Sequence, residues 1–358
     1  MRYLLNKHFL IPFSAVTAVC FIGYFGAQTA ASRFFLGIVV PYAAMAIFLG
    51  GFVWRIVAWS RSPVPFRIPT TCGQQQSLAW IKNSLVETPF TKVGVFVRMA
   101  LEILCFRSLF RNTVMTVKKT DGGPRIAYAW EMMLWIGALA FHYSMLLVTV
   151  RHLRFVTEPV PWLVQALQTV DGIFKVEYMN DAFAIGMPGV MISGLVLLVA
   201  VLFLLGRRLV STKIRYISLA ADYLPLFLII GIAGSGILMK HFYKVDLFKV
   251  KQFMMGLVSL KPALPEDVGA IFFIHFLLVS VLLACFPLSK LMHMGGVFLS
   301  PTRNLTADTR RRRHVNPWNY PVATHTYTEY EEEFGEKMAA AGLELEKKGT
   351  DNDRSSQT

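Results

Sequence analysis

The sequence predicts an all-α integral membrane protein, a bundle of six transmembrane helices carrying a long amphipathic cytoplasmic loop. Three observations predict it. Six apolar runs are each long enough to cross about 30 Å of hydrocarbon at about 1.5 Å per helical residue. Hydrophobic residues make up 54% of the 358-residue chain and charged residues only 16%, where a soluble domain carries about 25% charge; the mean hydropathy is +0.49. The Lys and Arg residues behind the net charge of +14 gather in connecting segments and the C-terminal region. That distribution orients a membrane protein and engages anionic lipid; no nucleic-acid partner is expected.

The first two runs cover residues 9–31 and 34–59. Arg2 and Lys7 give the chain a positive start like that of a signal peptide, but the run is long for a signal core and a second follows at once, so a retained helix is expected. Gly50 and Gly51 permit close packing of the second helix. The remaining spans are expected at 126–150, 183–205, 219–239 and 268–291. Pro225 and Pro287 lie near helix ends, where a missing backbone donor is tolerated or bends the chain. Gly231, Gly234 and Gly236 thin one stretch of the fifth span, more often for a close helix crossing than for a flat ring-shaped ligand.

Charge sets the orientation. Ten Lys and Arg residues lie between the second and third spans, and Arg207, Arg208, Lys213 and Arg215 lie between the fourth and fifth. Placing both loops inside obeys the positive-inside rule and puts both termini in the cytoplasm, with the Arg310–Arg313 run. The domains then read as residues 1–59, two N-terminal spans; 60–125, a cytoplasmic or interfacial loop; 126–295, a four-helix core; and 296–358, a cytoplasmic tail. Within the loop, residues 93–110 are apolar but interrupted by Arg98, Glu102 and Arg107, as in an interfacial or partner-bound helix; Glu102 follows Arg98 at helix-contact spacing. The tail is expected to form a helix over 331–348, followed by disorder from 351 to 358. Cys20, Cys72, Cys105 and Cys285 form no CxxC pair, which argues against an iron–sulphur cluster held by this chain alone.

Four histidines carry the chemistry. His142 and His152 are ten residues apart in and beside the third span, and His275 and His293 are eighteen apart in the sixth. Two neutral imidazoles on opposite faces of an iron porphyrin make a low-spin haem, and apolar helices exclude solvent from it. Antiparallel spans nest the pairing, His152 with His275 at the outer end and His142 with His293 at the inner end. Eighteen residues are five helical turns, so His275 and His293 are expected on one face. The axial distance then exceeds that of the first pair by about 12 Å, a mismatch left to tilt or a bend at Pro287. Intramembrane histidines with a glycine-rich span also permit a transporter, and the basic loop and tail permit a non-redox membrane anchor.

The histidine spacings, together with CGQQQSLAWIK at 72–82 and RMALEILCFRSLFRNT at 98–113, resemble the membrane cytochrome b subunit of the sulfite-reduction-associated Dsr complex. That subunit is related to the gamma subunit of respiratory nitrate reductase, a similarity expected over residues 54–295. The resemblance implies two haems b on His142, His152, His275 and His293, and exchange of menaquinol or menaquinone near the outer haem. Arg151, Arg154, Asp181, Lys240 and His241 are the candidate quinone-site residues. It also implies a cytoplasmic iron–sulphur partner like the K subunit of the Dsr complex, with further membrane and periplasmic redox subunits.

Overall fold

The computed structural model describes residues 6–62, 76, 80, 82–120, 122–172, 191–265, 268–300, 303–309, 312 and 323–346. Six of its helices are long and apolar enough to cross a membrane: α1 (Lys7–Gly26), α2 (Ala30–Ser60), a third running Met132–Phe155, and three more at Ile192–Val210, Ala220–His241 and Ala270–Leu288. Asn6 caps α1 by accepting from His8 N at 3.2 Å. The spans present large apolar side chains outward, Phe25 at 64% and Val199 at 67% exposure among them. That arrangement is stable only where lipid replaces water.

Between α2 and the third span the chain forms α3 (Lys92–Cys105), the short turn Arg107–Phe110 and an antiparallel hairpin of β1 (Thr113–Thr120) and β2 (Gly123–Trp130). Thr91 caps α3 through Gly94 N at 3.1 Å, and the helix is amphipathic as expected, with Val93 and Phe96 exposed. The hairpin corrects the expected start of the third span. Residues 126–130 belong to β2, because Ile126, Tyr128 and Trp130 alternate with Ala127 and Ala129 at the period of a strand, and the helix begins at Met132. Glu102 accepts from Ser108 N and Oγ at 3.0 and 2.7 Å and pairs with Arg303 at 3.4 Å.

The third span, α4 (Met132–His152), continues as a 3-10 turn through Phe155 and is followed by a surface helix, α5 (Trp162–Asp171). Then come α6 (Ile192–Val210) and α7 (Ala220–His241). A second non-spanning helix, α8 (Leu247–Val258), is capped by Asp246 and precedes α9 (Ala270–Cys285). The expected fourth-span residues 183–190 lie outside the described residues.

The spans pack in a chain of neighbours: α4 on α6, α6 on α7, α7 on α9 and α1, and α9 on α1 and α2. Rings of Phe9 and Phe227, 5.1 Å apart, lock α1 to α7. At Gly23 an added Cβ would lie 2.8 Å from the Ile274 Cα, so only glycine lets α1 approach α9 this closely. Gly231 faces Leu278 across the α7–α9 contact, where a Cβ would lie 3.1 Å from the end of the Leu278 side chain. Among the described residues, α4 and α9 are not one of the closely packed helix pairs; the rings of His152 and His275 face each other between them.

The chain divides into two compact units, and the smaller holds the C-terminal helix α11 (Tyr327–Ala340), numbered after the short α10 (His293–Gly296). A capping box starts α11, with Thr326 N donating to Glu329 at 2.9 Å and Glu329 N to Thr326 at 3.3 Å. The helix therefore begins earlier and ends sooner than the expected 331–348. Residues 351–358 lie outside the described residues, as do Cys72, Asp181 and three of the four tail arginines, Arg310, Arg311 and Arg313.

Candidate haem-binding site

The sixth span does not run straight from His275 to His293, which corrects the expectation of one shared helix face. After Cys285 the chain tightens into a 3-10 turn containing Pro287, and Ser289 takes an extended conformation (φ −103°, ψ 174°). Proline supplies no backbone donor and clashes with the carbonyl four residues back, so the helix ends there. Ser289 Oγ then accepts from Leu291 N at 3.2 Å, and the chain restarts as a 3-10 turn leading into α10. Gly51 of α2 makes room for this break, since a Cβ there would lie 2.7 Å from Pro287.

The break brings the histidines into two pairs. The rings of His142 and His293 lie 5.9 Å apart at 86°, and those of His152 and His275 lie 6.5 Å apart at 15°. Two imidazoles sharing one metal at about 2 Å per bond stand with ring centres about 6 Å apart, so both separations fit a single bridging iron. Every Nδ1 is already engaged: His142 with Ala138 O at 2.7 Å, His152 with Val148 O at 2.6 Å, His293 with Lys290 O at 2.8 Å and His275 with Ser235 Oγ at 2.9 Å. A carbonyl oxygen can only accept, so in those rings Nδ1 carries the proton and Nε2 keeps its lone pair for a metal. Among the described residues, no group of three or more His, Cys, Asp or Glu gathers as a metal site. A porphyrin supplies four nitrogens of its own, and two imidazoles complete its iron.

The inner pair has a cover that sequence reasoning missed. Phe106 leaves α3 in the left-handed conformation (φ 48°, ψ 48°) and sets its ring 4.8 Å from that of His142, edge to face. The turn is pinned to α4, where Trp135 Nε1 donates to Cys105 O at 2.8 Å and the Tyr143 hydroxyl to Leu104 O at 2.7 Å. Those bonds satisfy carbonyls left over at the end of α3. Near the same end, Asp222 pairs with Lys290 at 2.5 Å, tying α7 to the segment that carries His293.

Around the outer pair the candidate residues separate. Arg151 is committed to structure: it pairs with Asp171, 1% exposed, and donates to Ser193 Oγ at 3.1 Å, while Ser193 N and Oγ donate to the same carboxylate at 2.7 and 2.6 Å. This network joins α4, α5 and α6. Arg154 instead stacks on Phe155 at 4.5 Å and lines a cleft of about 360 Å³ with Gln165, Gln168, Phe248 and Lys251. Phe155 is also in ring contact with His152 at 5.8 Å, so the cleft adjoins the outer pair. The buried Gln168 Nε2 has no hydrogen-bond partner among the described residues. It is an unspent donor at the wall of this cleft, and no motif in the sequence signals it. Lys240 and His241 close the last turn of α7, and Asp181 lies outside the described residues.

The nitrate reductase gamma subunit family matches residues 126–312, a stretch that contains all four histidines but starts later than the expected 54–295. The chain is 41% identical over 286 residues to the Hdr-like menaquinol oxidoreductase cytochrome b-like subunit of Archaeoglobus profundus, covering 78% of this chain and 81% of that protein. It is 42% identical over 290 residues to the Archaeoglobus fulgidus protein of the same name, covering 79% and 83%. The chain thus belongs to the nitrate reductase gamma subunit family, among the Hdr-like menaquinol oxidoreductase cytochrome b-like subunits.

Proposed function

We propose that the chain is a dihaem cytochrome b subunit that carries electrons between menaquinol and a cytoplasmic iron–sulphur partner in dissimilatory sulfur metabolism. The observation that carries this reading is the pair of histidine couples at 5.9 and 6.5 Å with all four Nδ1 atoms engaged. His142 with His293 would hold the inner haem b, and His152 with His275 the outer one. When bound, the two groups supply one-electron transfer across the bilayer. The protein's part is to fix each imidazole, keep Nε2 free of its proton and exclude water with the surrounding apolar spans.

The cleft beside the outer pair is the proposed menaquinol site. Gln168 Nε2, Arg154 and Lys251 offer donors to quinone carbonyls, and the rings of Phe155 and Phe248 offer apolar walls. Oxidation of one menaquinol yields menaquinone, two electrons and two protons. Glu158, exposed and paired with Lys251, provides a carboxylate for proton exit. With the basic loops inside, this cleft faces outward, and α3 with the Phe106 turn faces the cytoplasmic partner. The Hdr-like name of the relatives supports a multisubunit complex.

The test is haem quantification and a reduced-minus-oxidised spectrum of the purified protein. Two b haems per chain are expected, falling to one when any of the four histidines is replaced by alanine. A protein purified within its intact complex and holding no haem would end the reading. Substitutions at His142 and His275 that abolish the same signal would reject the pairing.

A further inference from the structure

Three of the four histidines orient themselves through a carbonyl within four residues along the chain. His275 does not. Its Nδ1 reaches across to α7 and meets Ser235 Oγ at 2.9 Å. Ser235 is 6% exposed, and the imidazole lies against Gly236 beside it, with His275 Cε1 3.4 Å from the position of a Cβ there, an ordinary contact distance.

The protons can be counted. A serine hydroxyl has one proton, and Ser235 gives it to Gly231 O at 2.6 Å, with a longer contact to Ile232 O at 3.1 Å. Towards His275 it therefore presents only a lone pair, so Nδ1 must be the donor and Nε2 the free ligand atom. A hydroxyl oxygen is also a weaker acceptor than an amide carbonyl. An acceptor on Nδ1–H makes the ring a more basic ligand, so loss of the Ser235 acceptor leaves a less basic ligand, which favours the reduced iron.

We propose that Ser235 is a positioning residue that fixes the tautomer and ring plane of His275 and so sets the potential of the outer haem. This rests on the dihaem reading above. Ser235 touches neither haem nor quinone in the proposal; it acts through the imidazole, holding it near-parallel to His152 at 15°.

The experiment is redox titration and low-temperature EPR of the purified protein with Ser235→Ala and Ser235→Thr. The g-values of a low-spin haem follow the angle between its two imidazole planes, so they report ring orientation separately from stability. Ser235→Ala is expected to keep two haems, to move one midpoint upward and one set of g-values, and to leave the other haem unchanged. Ser235→Thr, which keeps the hydroxyl, is expected to restore both. Loss of one haem in the alanine variant with recovery in the threonine variant supports the same role. Two haems with unmoved potentials and g-values in Ser235→Ala overturn it, as does a haem lost equally in both variants. Absence of haem from the unmutated protein is a different result, which refutes the dihaem reading itself.

Discussion

Replacing Asp171 by alanine tests the network that holds α5 against the outer end of the bundle. The carboxylate is 1% exposed and its Arg151 partner 13%, so the pair sits where solvent cannot compensate for a missing charge. Among the described residues, removal leaves the guanidinium with only the Ser193 hydroxyl at 3.1 Å. It also strips the acceptor from Ser193 N, bound at 2.7 Å in the first turn of α6. Breaking a buried pair from one side costs about 3–5 kcal/mol, because the remaining charge stays buried. An unpartnered backbone donor adds about 1–3 kcal/mol, although the two losses overlap. Replacing both partners with apolar residues removes the stranded charge, so Arg151→Met with Asp171→Leu is expected to cost far less than Asp171→Ala alone. The measurement is reversible unfolding in mixed micelles, followed by helix circular dichroism and closed as a double-mutant cycle. An Asp171→Ala protein within about 1 kcal/mol of wild type, or single-variant losses that sum to the double, would refute the reasoning. Haem content is expected to persist, because none of these groups meets a histidine Nε2.

Gly23→Ala places a methyl 2.8 Å from the Ile274 backbone; overpacking of this kind costs about 1–3 kcal/mol and is read as a lower melting temperature in nanodiscs. Gln168→Leu is expected to raise the KM for menaquinol several-fold with both haems retained, as measured by stopped-flow haem reduction; an unchanged KM removes Gln168 from the site. Glu87 is partly buried, which raises its pKa, but hydrogen bonds and charge from Arg107 and Arg111 outweigh this and hold it below the usual carboxylate range. A depressed folded pKa stabilises above the unfolded value of about 4.3 and loses that contribution as pH falls through the folded value. Protease access to residues 84–111 is therefore expected to rise in acid for wild type, with little pH dependence in Glu87→Gln.

The six spans and the four histidines were legible in the sequence for one reason: both are properties of runs. Hydropathy sums locally, and a histidine inside an apolar run costs too much to be incidental, so neither needs a tertiary contact to be read. The same averaging hid the hairpin, because the apolar residues 126–130 counted towards a span while their alternation with Ala127 and Ala129 pointed to a strand. It also hid the end of α9. Pro287 was visible as a bend, but only the glycine opposite it and the Ser289 cap show that the helix stops and restarts.

Tertiary structure alone decided which polar groups are spent and which are available. Arg151 and Arg154 look alike in sequence, three residues apart, yet one is held by Asp171 and Ser193 and the other lines a cleft. Gln168 and Ser235 carried no signal at all. A hydrogen bond takes its meaning from the partner opposite, and for His275 that partner lies 40 residues away on another helix. Sequence determined that the bundle spans a membrane and holds paired imidazoles; helix packing determined their partners, because directional bonds depend on ångström-scale approach that no local pattern of residues encodes.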